Sequence, residues 1–144
     1  MNEYKRPESV LVVIYTVSGE VLLLERRRPP GFWQSVTGSL AWDEAPAEAA
    51  IREVREETGL LVQDQLVDCG YNNRFEILPA WRSRYDPGVG WNTEYVFRVE
   101  LAEIAPIQLS GVEHLRADWL PVRQALDRVS SHTNRTAIER YLSA

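Results

Sequence analysis

Cysteine is almost missing from this sequence. Cys69 is the single one in 144 residues, so no disulfide can close within the chain, and a reducing compartment suits it. Long apolar runs are missing too: the longest, Val10 to Tyr15, is far too short to span a bilayer. The opening residues, Met1-Asn2-Glu3-Tyr4-Lys5-Arg6-Pro7, hold no apolar stretch of the signal-peptide kind. A cytoplasmic protein without a membrane partner is therefore expected. There is no basic excess. The net charge of −5 argues against nonspecific nucleic-acid binding, which needs a basic surface. Histidine is scarce, and His114 and His132 have no second imidazole at a metal-ligand spacing. Both read as structural or substrate-adjacent. No internal repeat, low-complexity segment or linker interrupts the chain, and nothing in the pattern fixes an oligomeric state.

What is present suits one globular domain over residues 1–144, long enough to bury a core. Hydrophobic residues make up 44% and charged residues 26%. Positive charge gathers early, in Lys5, Arg6, Arg26, Arg27 and Arg28. Val10 to Val17 is rich in β-branched residues and reads as a buried strand. Ser18-Gly19 is a turn signal, and Val21 to Leu24 the returning strand. Arg26 to Gly31 is a basic loop broken by Pro29-Pro30, and Phe32 to Thr37 a short strand leading to Gly38. Leu60 to Val67 reads as a strand, Cys69 to Asn73 as a connector, and Arg74 to Arg84 as holding a strand interrupted at Pro79. Tyr85 to Asn92 is a loop and Thr93 to Leu101 a strand. A short strand then ends at Trp119-Leu120. Pro121 to Val129 is a helix, Ser130 to Asn134 a polar break, and Thr136 to Leu142 a terminal helix. Strands outnumber helices, so an α/β fold with helices covering a mixed sheet satisfies the layer rules.

The chain is organised around Gly38 to Leu60. Pro46 suits a first helical position, where its missing N–H would have no partner. Gly59 suits the residue just past the end. Ala47, Ala50, Ile51 and Val54 recur at helical spacing and predict the apolar face. Glu53, Glu56 and Glu57 then share one side, next to that face but distinct from it. Like charges at this spacing repel by roughly 0.2–0.5 kcal/mol per pair on an exposed helix. A solvated acidic face is one explanation. A site for a hard cation, Mg²⁺ or Mn²⁺, is the other, because the ion removes the repulsion.

The surrounding residues favour the cation. Gly38, then Glu44, then Arg52-Glu53-Val54-Arg55-Glu56-Glu57-Thr58-Gly59-Leu60 match every fixed position of the Nudix box, and the sequence resembles the Nudix hydrolases. The resemblance implies an α/β/α sandwich around a mixed sheet. It also implies metal-dependent hydrolysis of a small-molecule nucleoside diphosphate derivative or triphosphate. Glu53 and Glu57 would hold an ion. Glu56 would hold a second or orient water, and the carbonyl of Gly38 would be a further ligand. Arg52 stands four residues before Glu56, a spacing at which an ion pair forms easily. Glu44 would brace the loop and Arg52. Asp43 and Ala45 depart from the usual loop residues, so the helix lacks a side-chain N-cap.

Outside the box, further strings resemble one Nudix subfamily, the bacterial pyrophosphatases that act on dihydroneopterin triphosphate in folate synthesis. They are Tyr4-Lys5-Arg6-Pro7, Leu11 to Tyr15, Phe32 to Ser39, Arg84 to Val89, Asn92-Thr93-Glu94, Glu113-His114-Leu115 and Asn134 to Glu139. This resemblance makes Lys5, Arg26, Thr37 and Ser131 substrate contacts and adds Glu113 to Glu53 and Glu57 as metal ligands. Lys5 and Arg26 are suitable cationic donors for a triphosphate. Phe32, Trp33 and Trp91 could stack on a flat ring, with core packing as the alternative. Two other readings remain open: a general nucleoside triphosphate pyrophosphatase acting on dATP or oxidised nucleotides, and a non-catalytic Nudix-like sensor domain.

Overall fold

The computed structural model describes residues 4–142. Its centre is β1 (Glu8–Thr16), every residue of which after Glu8 is buried. A strand covered on both faces can be apolar throughout, and this one is. Val10, Val12 and Ile14 point to one side and Leu11, Val13 and Tyr15 to the other. One edge of β1 pairs in parallel with β6 (Trp91–Leu101), from Glu8 opposite Thr93 to Thr16 opposite Leu101. Its other edge is shared. β2 (Glu20–Arg26) pairs with it at Tyr15–Val21, and β4 (Val36–Ser39) along Ser9 to Val12, both antiparallel. β2 also pairs with β3 (Trp33–Gln34) and β7 (His114–Pro121), and β6 pairs with β5 (Leu66–Glu76). These seven strands make one mixed sheet among the described residues.

Helices cover both faces. α1 (Pro46–Thr58) lies on the Val10–Val12–Ile14 side. α2 (Val122–Arg128) and α3 (His132–Leu142) close the other through Ala125, Ala137 and Ile138. The layering is the expected α/β/α sandwich. No helix of the described residues is long and apolar enough to cross a membrane.

Several local expectations are corrected. Residues 60–65 are not a strand. β5 begins at Leu66 and runs through the supposed connector. It lies at the edge of the sheet and its register shifts between Asp68 and Asn72, around Gly70 at φ 76°. A bulge on a polar edge strand reads like a turn in sequence. After Glu76 the chain makes a 3-10 turn over Pro79–Arg84, not a continuing strand. Ser35 divides the predicted Phe32–Thr37 strand into β3 and β4. The polar break after Ser130 is mostly helix, since α3 begins at His132. Asn134 looked like a breaker but is fully buried. Its Oδ1 accepts from the Ser35 amide at 2.6 Å, and its Nδ2 donates to the Ser35 hydroxyl at 2.9 Å.

The buried side of α1 also differs. It comprises Ala49, Ala50, Glu53, Val54, Glu57 and Thr58, while Ala47 is exposed and Ile51 half-buried. Two glutamates therefore lie on the core face itself.

Phe97 is the bulkiest side chain wholly enclosed in the α1-side core. Phe97→Ala should cost about 3–5 kcal/mol, the usual loss for an aromatic cavity. Urea unfolding measures it. A loss below about 1 kcal/mol would mean that the core collapses to fill the space.

Candidate active site

β4 delivers Gly38 to the mouth of the site, and the loop after it leads into α1. This loop is held from outside: Nη1 of Arg6 donates to the carbonyls of Ala41, Trp42 and Glu44 at 2.9–3.1 Å. Pro46 is the first helical residue and Ala45 the cap, with no side-chain bond. In its place Glu48 reaches back and accepts from the Ala45 amide at 2.9 Å, the reciprocal half of a capping box. Gly59 ends the helix in the left-handed region at φ 78°, its N–H on the Arg55 carbonyl.

Arg52 joins loop to helix. Its Nε and Nη2 grip the two oxygens of Glu44, both at 2.8 Å, and Nη2 also donates to the Ser39 carbonyl. Its Nη1 reaches Glu53 at 2.7 Å and Glu56 at 3.2 Å. Glu44 in turn accepts from the Ala41 amide at 2.9 Å. Hydrogen bonds to Glu44 and Glu53 hold the guanidinium firmly in its charged form. The expected Arg52–Glu56 pair is thus present, together with contacts that spacing alone does not specify.

Glu53 is 9% exposed and lies against Gly38 so closely that a Cβ there would come within 2.1 Å of its Cδ. Only glycine allows this approach of strand and carboxylate. Glu57 is 1% exposed, and neither of its oxygens has a hydrogen-bond donor. Burial, followed by the neighbouring Glu53, Glu113 and Glu56, pushes its carboxyl well above the usual range. His114 Nε2 stands 3.5 Å from Glu57 Oε1. Burial and Arg26 lower the His114 pKa, so the imidazole is neutral near pH 7 and does not balance the charge.

Strand pairing brings the rest. The β2–β7 register sets Arg26 opposite His114, and the Arg27 amide donates to the Glu113 carbonyl at 2.8 Å. Glu113 is exposed and close enough to bear on both Glu57 and Lys5. Lys5 has its pKa lowered by burial, then by Arg84 and Arg26, while Glu53 and Glu113 oppose the shift. The Arg26 guanidinium lies over the rings of Phe32, at 5.8 Å, and Trp81, at 5.5 Å. Lys5, Arg26, Glu53, Glu56, Glu57 and Glu113 therefore form one group.

Thr37 and Ser131 do not join it. Thr37 alternates with Val36 and Gly38 and so faces the α3 side, its hydroxyl donating to the Val10 carbonyl at 2.8 Å. Ser131 precedes α3, with Oγ 3.2 Å from the Thr133 hydroxyl. Trp33 is core, enclosed between Arg116 and Arg128, and is not free to stack on a ligand. The sequence reading missed the braces of Arg6 and the stacking of Trp81. The Glu113-His114-Leu115 string was the signal for His114, but its contact with Glu57 comes from tertiary pairing.

The acids fit a divalent cation. Two orphaned oxygens on a buried carboxylate, with a second carboxylate beside it and no compensating cation, form an anionic oxygen donor set of the kind that hard metal ions take. Among the described residues no three acids or imidazoles are already drawn into ligand geometry.

Known proteins match nearly the whole chain. The NUDIX domain family model matches residues 5–141. A dihydroneopterin triphosphate diphosphatase of Haemophilus influenzae is 42% identical over 147 aligned residues, covering 99% of this chain and 91% of that protein. One from Escherichia coli K12 is 45% identical, covering 96% of this chain and 94% of its own. The solved structure of the E. coli dihydroneopterin triphosphate pyrophosphohydrolase superposes with a TM-score of 0.88 at 43% identity, over 98% of each chain.

The state of Glu57 gives a pH prediction. Its folded pKa is raised, so from about pH 4 upward the metal-free native state binds more protons than the unfolded chain. Stability therefore falls as pH rises through that window. Glu57→Gln should melt at a higher temperature than the parent at pH 7 without metal, and the gap should close below about pH 4. Calorimetry at the two pH values checks this. Equal midpoints at pH 7 would mean that the carboxylate is not destabilising.

Proposed function

The chain belongs to the Nudix family, and on that premise we propose that it hydrolyses dihydroneopterin triphosphate to the monophosphate and pyrophosphate, with Mg²⁺ or Mn²⁺ as cofactor. The observation that carries the substrate assignment is the 42–45% identity to dihydroneopterin triphosphate diphosphatases along almost the whole chain. The buried, unpartnered Glu57 supports the metal assignment. Nudix hydrolases generally use divalent metal ions. In this reading one domain spans residues 1–144 and works in the cytoplasm on a small molecule, with neither nucleic acid nor membrane as partner.

Glu53, Glu57, Glu113 and Glu56, with the Gly38 carbonyl, are the residues that would hold the ion. When bound, the metal supplies positive charge to the non-bridging and leaving oxygens of the triphosphate. The rest is done by side chains. Glu56, unlike Glu53 and Glu57, is exposed and is aimed by Arg52, so it can accept a proton from the attacking water. Lys5 and Arg26 neutralise the outer phosphates. Arg26 is held by two aromatic rings, which limits the entropy lost when it binds. Thr37 and Ser131, on the α3 side, take the ring end of the substrate. Remote contacts of that kind raise kcat/KM by placing the phosphorus for attack.

The deciding measurement compares kcat/KM for dihydroneopterin triphosphate with dATP and GTP in the presence of Mg²⁺, and identifies the phosphorus product. We expect a clear pterin preference and release of pyrophosphate. A preference for dATP or GTP overturns the substrate and leaves the family intact. Orthophosphate as product overturns the cleavage position. Glu57→Gln should lower kcat by at least about a hundredfold. Glu113→Gln should weaken the metal dependence of kcat and leave the melting temperature of the metal-free protein unchanged. A normal metal titration in that variant returns Glu113 to an ordinary surface role.

A further inference from the structure

Four glutamates are buried among the described residues. Glu53 and Glu57 belong to the site above. Glu25, 5% exposed, is paired with Arg116 at 2.8 Å. Glu94, 6% exposed, has only neutral company: Asn73 Nδ2 donates to its Oε1 at 3.1 Å, and the Thr133 hydroxyl also donates to it. Burial raises its pKa and the two neutral donors only partly oppose this. A carboxylate removed from water without a cation is costly, and well-packed apolar residues would stabilise the same place better.

Glu94 is not alone in breaking the apolar pattern. It lies on β6 two residues before Val96, so it faces α3 on the side where Leu11, Val13 and Val96 form the core. Ser9 on β1 is opposite Glu94 on one edge and Ser39 on the other. Asn92 donates to Ser9 at 2.8 Å. Ser131 touches Thr133, which touches Glu94. Thr37 lies opposite Leu11, one step along β1 toward the core. Asn73 and Thr133, the two donors to the carboxylate, are themselves half-buried. Ser131, which touches Thr133, and Thr37, on the same face of the sheet across β1, are the residues proposed above for the ring end of the substrate.

We propose that Glu94 selects the heterocycle, its carboxylate accepting the ring N–H and the exocyclic 2-amino group of a 2-amino-4-oxo edge. Such an edge offers two parallel donors, which a carboxylate fork accepts together. Pterin carries this edge and guanine shares it, while adenine and hypoxanthine lack the pair. The inference rests on the pterin reading and names the residue responsible for it.

The test measures kcat/KM of the full chain for dihydroneopterin triphosphate, GTP, dATP and ITP, which is GTP without its 2-amino group. Glu94→Gln keeps the shape and replaces one acceptor by a donor. It should lose on the order of a hundredfold on the pterin substrate and at least about tenfold on GTP, with dATP and ITP changed less than about threefold. Uniform loss on all four, or no loss, assigns Glu94 to the fold alone and overturns the proposal. A parent enzyme that prefers dATP overturns the pterin reading and this inference together. A parent that prefers the pterin, with a variant that keeps the preference, overturns this inference alone. If the variant does not fold, the parent's GTP-to-ITP ratio decides: about tenfold or more supports the proposal, and a ratio near one overturns it.

Discussion

Glu57 lies on the core face of α1 with neither oxygen bonded, and much of the architecture serves to keep it there. The desolvation of an ion in a protein costs several kcal/mol, comparable with a large share of a domain's net stability. It is offset by the packing of the same helix face, where Ala49, Ala50 and Val54 meet Val10, Val12 and Ile14. Turning α1 to expose the acids would also expose that packing. Arg52 resists the same rotation, since it is tied to Glu44 and to the Ser39 carbonyl. The helix is thus held in an orientation that keeps Glu57 buried at a cost to the stability of the chain.

β4 divides the labour of the site. It is short, it lies on the half of the β1 edge that β2 leaves free, and its side chains alternate between the layers. Gly38 turns toward the acids and accommodates Glu53, while its neighbour Thr37 turns toward α3. Two adjacent residues therefore belong to different layers of the sandwich. The sheet itself separates the cluster of acids around Glu57 from the polar patch around Glu94. Both keep carboxylates out of water, at the expense of stability.

Much of this was legible along the chain. Pro46 and Gly59 mark the ends of α1 because start and stop signals act within one turn. The i,i+4 spacing of Arg52 and Glu56 specifies their pairing, and the β-branched run marks β1 as central. The clustered acids alone left a solvated face open, and the cation reading came from the likeness of Gly38, Glu44 and Arg52 to Leu60 to the Nudix box. What sequence left undecided depended on partners distant in the chain. Helical spacing set Ala47 and Ile51 on the packed face with Ala50 and Val54, whereas the sheet buries a face turned onto Glu53 and Glu57. Asn134 reads as a helix breaker until Ser35, ninety-nine positions away, satisfies its amide. Glu113 and His114 look like loop residues until the β2–β7 ladder sets them beside Arg26. Local sequence determined which elements form and where they end, because those choices rest on neighbours within a few residues. Tertiary structure decided which face each element buries and which charges meet, because those choices rest on contacts that the chain makes only when it closes on itself.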